Sequence, residues 1–161
     1  MVRWFKLTKH QHFGFFALGL AFFVIQELPY IIMPLIPLTS NPLMEMQDRS
    51  AVLNVIEKVC GISSIIIMLF IVRSDAKWFS LSTKQEKGCF FVSLIAILGY
   101  FAGWAFYFNG FQSVPLMLCT LVALPPLYYS FIGLWRRNYA LAVCGGVFLV
   151  AHIANVWNNL K

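Results

Sequence analysis

The sequence predicts an all-α integral membrane protein, a bundle of five transmembrane helices with a cytoplasmic N-terminus and an extracytoplasmic C-terminus. Of its 161 residues, 60% are hydrophobic and only 11% are charged, whereas a soluble domain carries about 25% charged residues. Five apolar runs approach the roughly 20 residues that a helix needs to cross a hydrocarbon core about 30 Å thick. Because so few charged side chains cannot give a domain of this size a polar surface, we expect lipid to cover it.

The first two apolar runs have features that are unusual for transmembrane helices. We predict helices over residues 13–37, 51–72, 89–108, 114–135 and 139–157 of a single domain, 1–161. The first run follows a basic start, as in a secretory signal, but we interpret it as a retained span because no small-residue cleavage site follows Ile25. The second run contains Asn54, Glu57 and Lys58 near its start, so its insertion is the most costly.

The last three runs carry packing and helix-breaking signals. The small-residue motif Gly99-x-x-x-Gly103 in the third run predicts a close helix contact within the chain rather than dimerisation. Pro125 and Pro126 interrupt the hydrogen bonding of the fourth run, which we interpret as a hinge or a kink. The fifth run is apolar except for a polar face that includes His152. No internal repeat is visible, so we expect one domain.

The positive charges give the orientation. With the N-terminus inside, the inner segments hold nine of the twelve Lys and Arg residues: Arg3, Lys6, Lys9, Arg73, Lys77, Lys84, Lys87, Arg136 and Arg137. The outer segments hold Arg49, Lys58 and Lys161. Short cytoplasmic loops carry such an excess of positive charge. We therefore predict a multi-pass protein of the plasma membrane, and we interpret the net charge of +6 as a topology signal rather than as nucleic-acid binding.

Polar residues in the predicted outer half of the bundle form a candidate site, because an ionisable group inside a membrane is costly and points to function by default. The candidate catalytic residues are Glu27, Glu57 and His152, with the two carboxylates as acid, base or counter-charge. We expect His152, together with Asn155, to orient the ligand. The candidate ligand-binding residues are Asn54, Lys58, Asn155, Tyr30, Trp104 and Trp157. The alternative interpretation places Glu27 among headgroups, Glu57 and Lys58 on a solvated helix extension, and His152 in ordinary helix packing.

These features lead to three hypotheses about function. In the leading one, the protein binds, and in its stronger form also transforms, a hydrophobic or amphiphilic small molecule or lipid in a polar, aromatic-walled pocket in the outer half of the bundle. The alternative is an accessory or immunity-type protein that docks on a larger membrane complex, and the third is a minimal transporter, which the lack of repeats disfavours. The sequence has no G-x-S-x-G, H-E-x-x-H, Walker or C-x-x-C motif. We therefore expect neither a cofactor nor a metal ion, and whether the protein is an enzyme stays open.

Overall fold

The computed structural model describes residues 2–74 and 77–160, and this part of the chain is mostly helical. Five helices in it are long and apolar enough to cross a membrane. We number them first to fifth: Ala17–Leu35, Ala51–Phe70, Lys84–Phe108, Val114–Trp135 and Tyr139–Leu160. The first helix is α-helical over Ala17–Ile32 and ends in the 3₁₀ turn Met33–Leu35. These bounds agree with a five-helix bundle.

The helices pack in a continuous arrangement around one aromatic core. The second helix packs on the fifth, the fifth on the fourth and the fourth on the third, while the first contacts the second and the third. The third helix supplies the most deeply buried rings, Tyr100, Trp104 and Tyr107. Apolar side chains on the outer flanks are exposed, for example Ile95 at 68% and Val150 at 70%. Exposed aliphatic surface of this extent is typical of a face that contacts a membrane or another protein.

A small antiparallel sheet, which the sequence analysis did not predict, joins the start of the chain to the end of the second helix. Its strands are β1 (Val2–Lys6), β2 (Gln11–Phe15) and β3 (Ile71–Arg73), in the order β1-β2-β3. Phe13 pairs with Ile71 across β2 and β3. The first helix therefore begins at Ala17 rather than at residue 13, and the second ends at Phe70 rather than at residue 72, because these segments pair as strands.

The third helix begins earlier than predicted. Thr83 caps its first turn by accepting a hydrogen bond from the Glu86 amide at 3.1 Å, and the Glu86 carboxylate accepts one from the Thr83 amide at 3.4 Å. This reciprocal pair satisfies donors that a helix end otherwise leaves open, so Lys84 and its neighbours are helical although they are polar. The fifth helix also runs longer than predicted, to Leu160.

The proline pair changes the hydrogen bonding of the fourth helix. This helix is α-helical over Val114–Leu116, π-helical over Met117–Val122 and α-helical again over Leu124–Trp135. Pro125 and Pro126 have no N–H to donate, so the preceding turn loses its normal partners and widens. The fourth helix thus departs from regular α-helical hydrogen bonding next to the prolines, where the sequence predicts an interruption.

Gly103 allows the third and fourth helices to approach closely. A Cβ atom built on Gly103 would lie 2.3 Å from the Thr120 Oγ1 atom and 2.5 Å from its Cβ. On Gly99 it would lie 2.9 Å from a methyl carbon of Leu124. The prediction that this small-residue motif makes a helix contact within the chain is therefore confirmed.

The two ends of the bundle differ in charge. We call the end that holds the sheet, residues 77–83 and residues 136–138 the basic end, and the other end, with residues 36–50 and 109–113, the opposite end. The Arg136 guanidinium lies over the Phe16 ring at 4.4 Å, and the Asn138 amide donates to the Ile71 carbonyl at 3.2 Å. These contacts bring the sheet and the end of the fourth helix together.

Candidate functional site

Glu57 joins the second helix to the fifth. Its Oε1 atom lies 3.0 Å from His152 Nδ1, and its Oε2 accepts a hydrogen bond from the Asn155 amide at 2.5 Å. The side chains of Glu57 and His152 are only 19% and 16% exposed. Asn159 donates to the Asn155 side chain at 3.5 Å, and its own oxygen accepts from the Arg49 amide at 3.0 Å. A chain of polar contacts therefore runs from Glu57 to the opposite end of the bundle.

The depth of this pair follows from the helix rise of 1.5 Å per residue. Glu57 comes six residues after Ala51, where the second helix begins, and His152 comes eight residues before Leu160. Both side chains are attached about 9–12 Å from the helix ends at the opposite end of the bundle. Both positions lie in the half of the bundle that is predicted to face outward.

A cavity of about 140 Å³ lies between four of the five helices. Its wall comprises Gln26, Glu27, Tyr30, Gly61, Ile65, Pro125, Tyr129, Phe148 and His152. One water molecule needs about 10–15 Å³ by the same measure, so the space is large enough for a small polar group. Gly61 keeps it open beside the fifth helix, since a Cβ atom there would lie 3.3 Å from Phe148.

Glu27 is the carboxylate of this wall. It is partly buried on the first helix, and among residues 2–74 and 77–160 it has no hydrogen bond or ion pair. An ionised carboxylate in such a place is stabilised only when a positive charge or a donor reaches it. A ligand that supplies a positive charge or a hydrogen-bond donor would therefore stabilise the Glu27 carboxylate.

His152 connects Glu57 to the cavity. Its ring stacks on Phe148 with centroids 5.1 Å apart, and its Nδ1 atom is engaged by Glu57. Only Nε2 then remains to donate to, or accept from, a molecule in the cavity. A carboxylate that holds one imidazole nitrogen fixes the orientation of the ring and selects its tautomer.

Gln26 is a site residue that the sequence analysis missed. It is 4% exposed, its side-chain amide donates to the Tyr100 hydroxyl at 3.4 Å, and its oxygen accepts from the Tyr129 hydroxyl. These bonds fix the first helix against the third and the fourth, beside Glu27. The available signal was a single neutral polar residue inside an otherwise apolar run.

The other predicted site residues are not among those that line the cavity. Asn54 donates to the Asp48 carboxylate at 2.6 Å, and Lys58 is exposed. Trp104 is buried behind the cavity wall and packs edge-to-face on Tyr30 with centroids 5.0 Å apart. Trp157 is 44% exposed. Of the nine predicted residues, Glu27, Tyr30 and His152 line the cavity, and Glu57 and Asn155 support it from behind.

Within the described ranges, no three His, Cys, Asp or Glu side chains lie close enough together to hold a metal ion. No protein-family model, curated protein or solved structure matches the chain.

Proposed function

We propose that the protein binds an amphiphilic small molecule whose polar group is a protonated amine, in the cavity between the first, second, fourth and fifth helices. The observation that carries this proposal is the Glu27 carboxylate, which lies in the wall of a partly buried cavity without a positive partner among the described residues. An ammonium group would supply the missing charge and up to three hydrogen-bond donors.

Aromatic side chains support a cationic ligand rather than a neutral one. Tyr30, Tyr129 and Phe148 contribute rings to the cavity wall. The faces of such rings attract cations, and the attraction grows when water is excluded. The apolar part of the ligand would extend between the helices or into lipid, because the flanks of the bundle are apolar.

The Glu57–His152 pair supports a second step, the transfer of a proton to or from the bound molecule. A histidine that is oriented by a carboxylate is the arrangement of a general acid or base. We propose His152 as the group that exchanges the proton and Glu57 as the residue that positions it. Binding of the amine does not require this step.

The membrane placement is part of the same proposal. We propose that the bundle spans the plasma membrane with its basic end in the cytoplasm, since the nine inner positive charges of the sequence prediction belong to that end. The cavity then lies near the middle of the bilayer, with His152 on its extracytoplasmic side. The accessory-protein and transporter alternatives stay predictions.

The test compares three amphiphiles with the same ten-carbon chain: decylamine, decanol and decanoate. Each is titrated by isothermal calorimetry into the protein in phosphatidylcholine nanodiscs, with empty nanodiscs as the blank for partition into lipid. We expect decylamine to bind about tenfold more tightly than decanol, as one charge-assisted interaction provides. We expect no binding of decanoate above the blank.

Two variants with a matched control assign the binding to the cavity. Glu27→Gln should lower the affinity for decylamine about tenfold and leave decanol unchanged. Tyr30→Leu should also weaken decylamine binding, because it removes a ring from the wall. Glu45→Gln removes the same charge from the exposed loop at the opposite end and should change nothing. Equal heats for the three amphiphiles, or an equal loss in Glu27→Gln and Glu45→Gln, would refute the proposal.

A further inference from the structure

A second cavity, separate from the first, lies at the basic end of the bundle. Its volume is about 200 Å³, and four positive side chains line it: Arg73, Lys77, Arg136 and Arg137. Glu86 is the acidic residue among the described residues of its wall. The described wall therefore has three more positive than negative charges.

Glu86 is engaged in holding the structure together. Its Oε2 atom accepts hydrogen bonds from the Ser80 hydroxyl at 3.0 Å and the Ser82 amide at 2.8 Å, in addition to capping the third helix. Its Oε1 atom lies 3.4 Å from the Arg137 guanidinium. Within the described wall, Glu86 offsets one of the four positive charges that line the cavity.

Lys77 and Ser80, which precede the third helix, are fixed to the end of the fourth helix, so the cavity has preformed walls. The Trp135 indole donates to the Ser80 carbonyl at 2.7 Å, and the Arg136 guanidinium donates to the Lys77 carbonyl at 2.7 Å. The pKa of Arg136 is lowered from its ordinary value, mainly by burial; Glu86 opposes this shift and Arg73 adds to it by repulsion. A negative group in the cavity would relieve this repulsion.

Arg137 occupies a backbone position that favours glycine. Its φ angle is +51°, and it follows the end of the fourth helix. The Arg137 amide bonds to the Leu134 carbonyl and the Asn138 amide to the Gly133 carbonyl, which is the hydrogen-bond pattern of a Schellman motif. Glycine adopts this left-handed conformation without strain, whereas an arginine does so at a cost of about 1 kcal/mol or more. Strain retained at one residue suggests that its side chain has a use.

We propose that the basic cavity binds a phosphate group, carried by a phospholipid headgroup or present as free phosphate. Guanidinium groups match the planar, multidentate geometry of phosphate oxygens, and lysine adds a flexible charge. The cavity lies where the third helix begins and the fourth ends, next to the exposed rings of Trp78 and Phe79. Side chains of this kind lie at headgroup level in membrane proteins.

The experiment uses the purified, delipidated full chain in detergent. Native mass spectrometry measures binding of phosphatidylglycerol and of phosphatidylcholine, which differ in net charge, and a thermal-shift titration measures the effect of inorganic phosphate. A lipid site predicts retention of phosphatidylglycerol, with little effect of phosphate. A site for free phosphate predicts stabilisation by millimolar phosphate that chloride at the same ionic strength does not reproduce.

Variants distinguish the cavity from general attraction to a basic surface. Lys77→Gln keeps the backbone carbonyl that Arg136 uses and should weaken binding about tenfold. Arg137→Gly should weaken binding to a similar degree while it raises the melting temperature, because glycine relieves the backbone strain. Lys9→Gln removes an exposed charge at the same end and should have less than a twofold effect. Binding of neither probe, or equal losses in Lys77→Gln and Lys9→Gln, would overturn the proposal.

Discussion

The hydrogen bond between Glu57 and His152 predicts an energetic coupling that a double-mutant cycle can measure. The cycle compares Glu57→Ala, His152→Ala and the double variant with the parent protein, so that the cavities left by each truncation cancel. Side-chain hydrogen bonds between membrane helices contribute about 0.6 kcal/mol on average and up to about 1.7 kcal/mol. This bond is 3.0 Å long, little exposed and involves a carboxylate. We therefore expect a coupling of about 1–2 kcal/mol.

The assay is thermal unfolding in detergent, followed by near-ultraviolet circular dichroism. A chain of this size shifts its melting temperature by about 2–4 °C per kcal/mol. If the two substitutions were independent, the shift in melting temperature of the double variant would equal the sum of the two single shifts. With the expected coupling, the double variant should melt about 2–8 °C above that additive value. A control cycle pairs His152→Ala with Lys58→Ala, the exposed neighbour of Glu57, and should be additive within about 0.5 kcal/mol. Additivity in the Glu57 cycle as well would refute the coupling and remove the basis for a positioned His152.

Two further predictions concern packing and orientation. Gly103→Ala should lower the melting temperature by several degrees, because its Cβ would overlap Thr120 at a typical cost of about 1–3 kcal/mol. In the same helix, Gly88 has nothing within 4 Å of such a Cβ, so Gly88→Ala should be neutral or slightly stabilising. A similar loss of stability in both variants would contradict the contact. With the four native cysteines replaced, a cysteine at Lys9 should be shielded from an impermeant thiol reagent in intact cells, whereas one at Glu45 should react. The reverse pattern of labelling would contradict the proposed orientation.

The helices were predictable because their signal is local. Apolar length alone locates all five, and the largest errors in the predicted bounds fall where polar or strand-forming residues decide the structure. The third helix starts at Lys84 because of the Thr83–Glu86 cap, which an apolar-run criterion does not consider. The sheet was missed because Gln11–Phe15 looks like the beginning of the first apolar run. Its pairing partner, Ile71–Arg73, is distant in sequence.

The sequence pointed to the polar residues of the candidate site, but not to their contacts or to the depth of Glu27. The cost of burying Glu27, Glu57 and His152 pointed to these residues, and a helix counted from residue 13 placed Glu27 in the outer half. The first helix begins at Ala17, so Glu27 lies near its middle. Which of them touch depends on which helices are neighbours, and the sequence does not encode that locally. Glu57 contacts His152 rather than Glu27, and Lys58, one residue along the same helix, is exposed.

The sheet at the basic end sets the geometry of a cavity that it does not line. β2 leads directly into the first helix and β3 follows directly after the second, so the pairing of Phe13 with Ile71 fixes how far the two helices slide along each other. A slip of one residue would move them by about 3.3 Å, enough to break any hydrogen bond between a ligand and both helices. Substitutions in the sheet should therefore alter ligand affinity from a distance, by displacing Glu27 relative to Gly61.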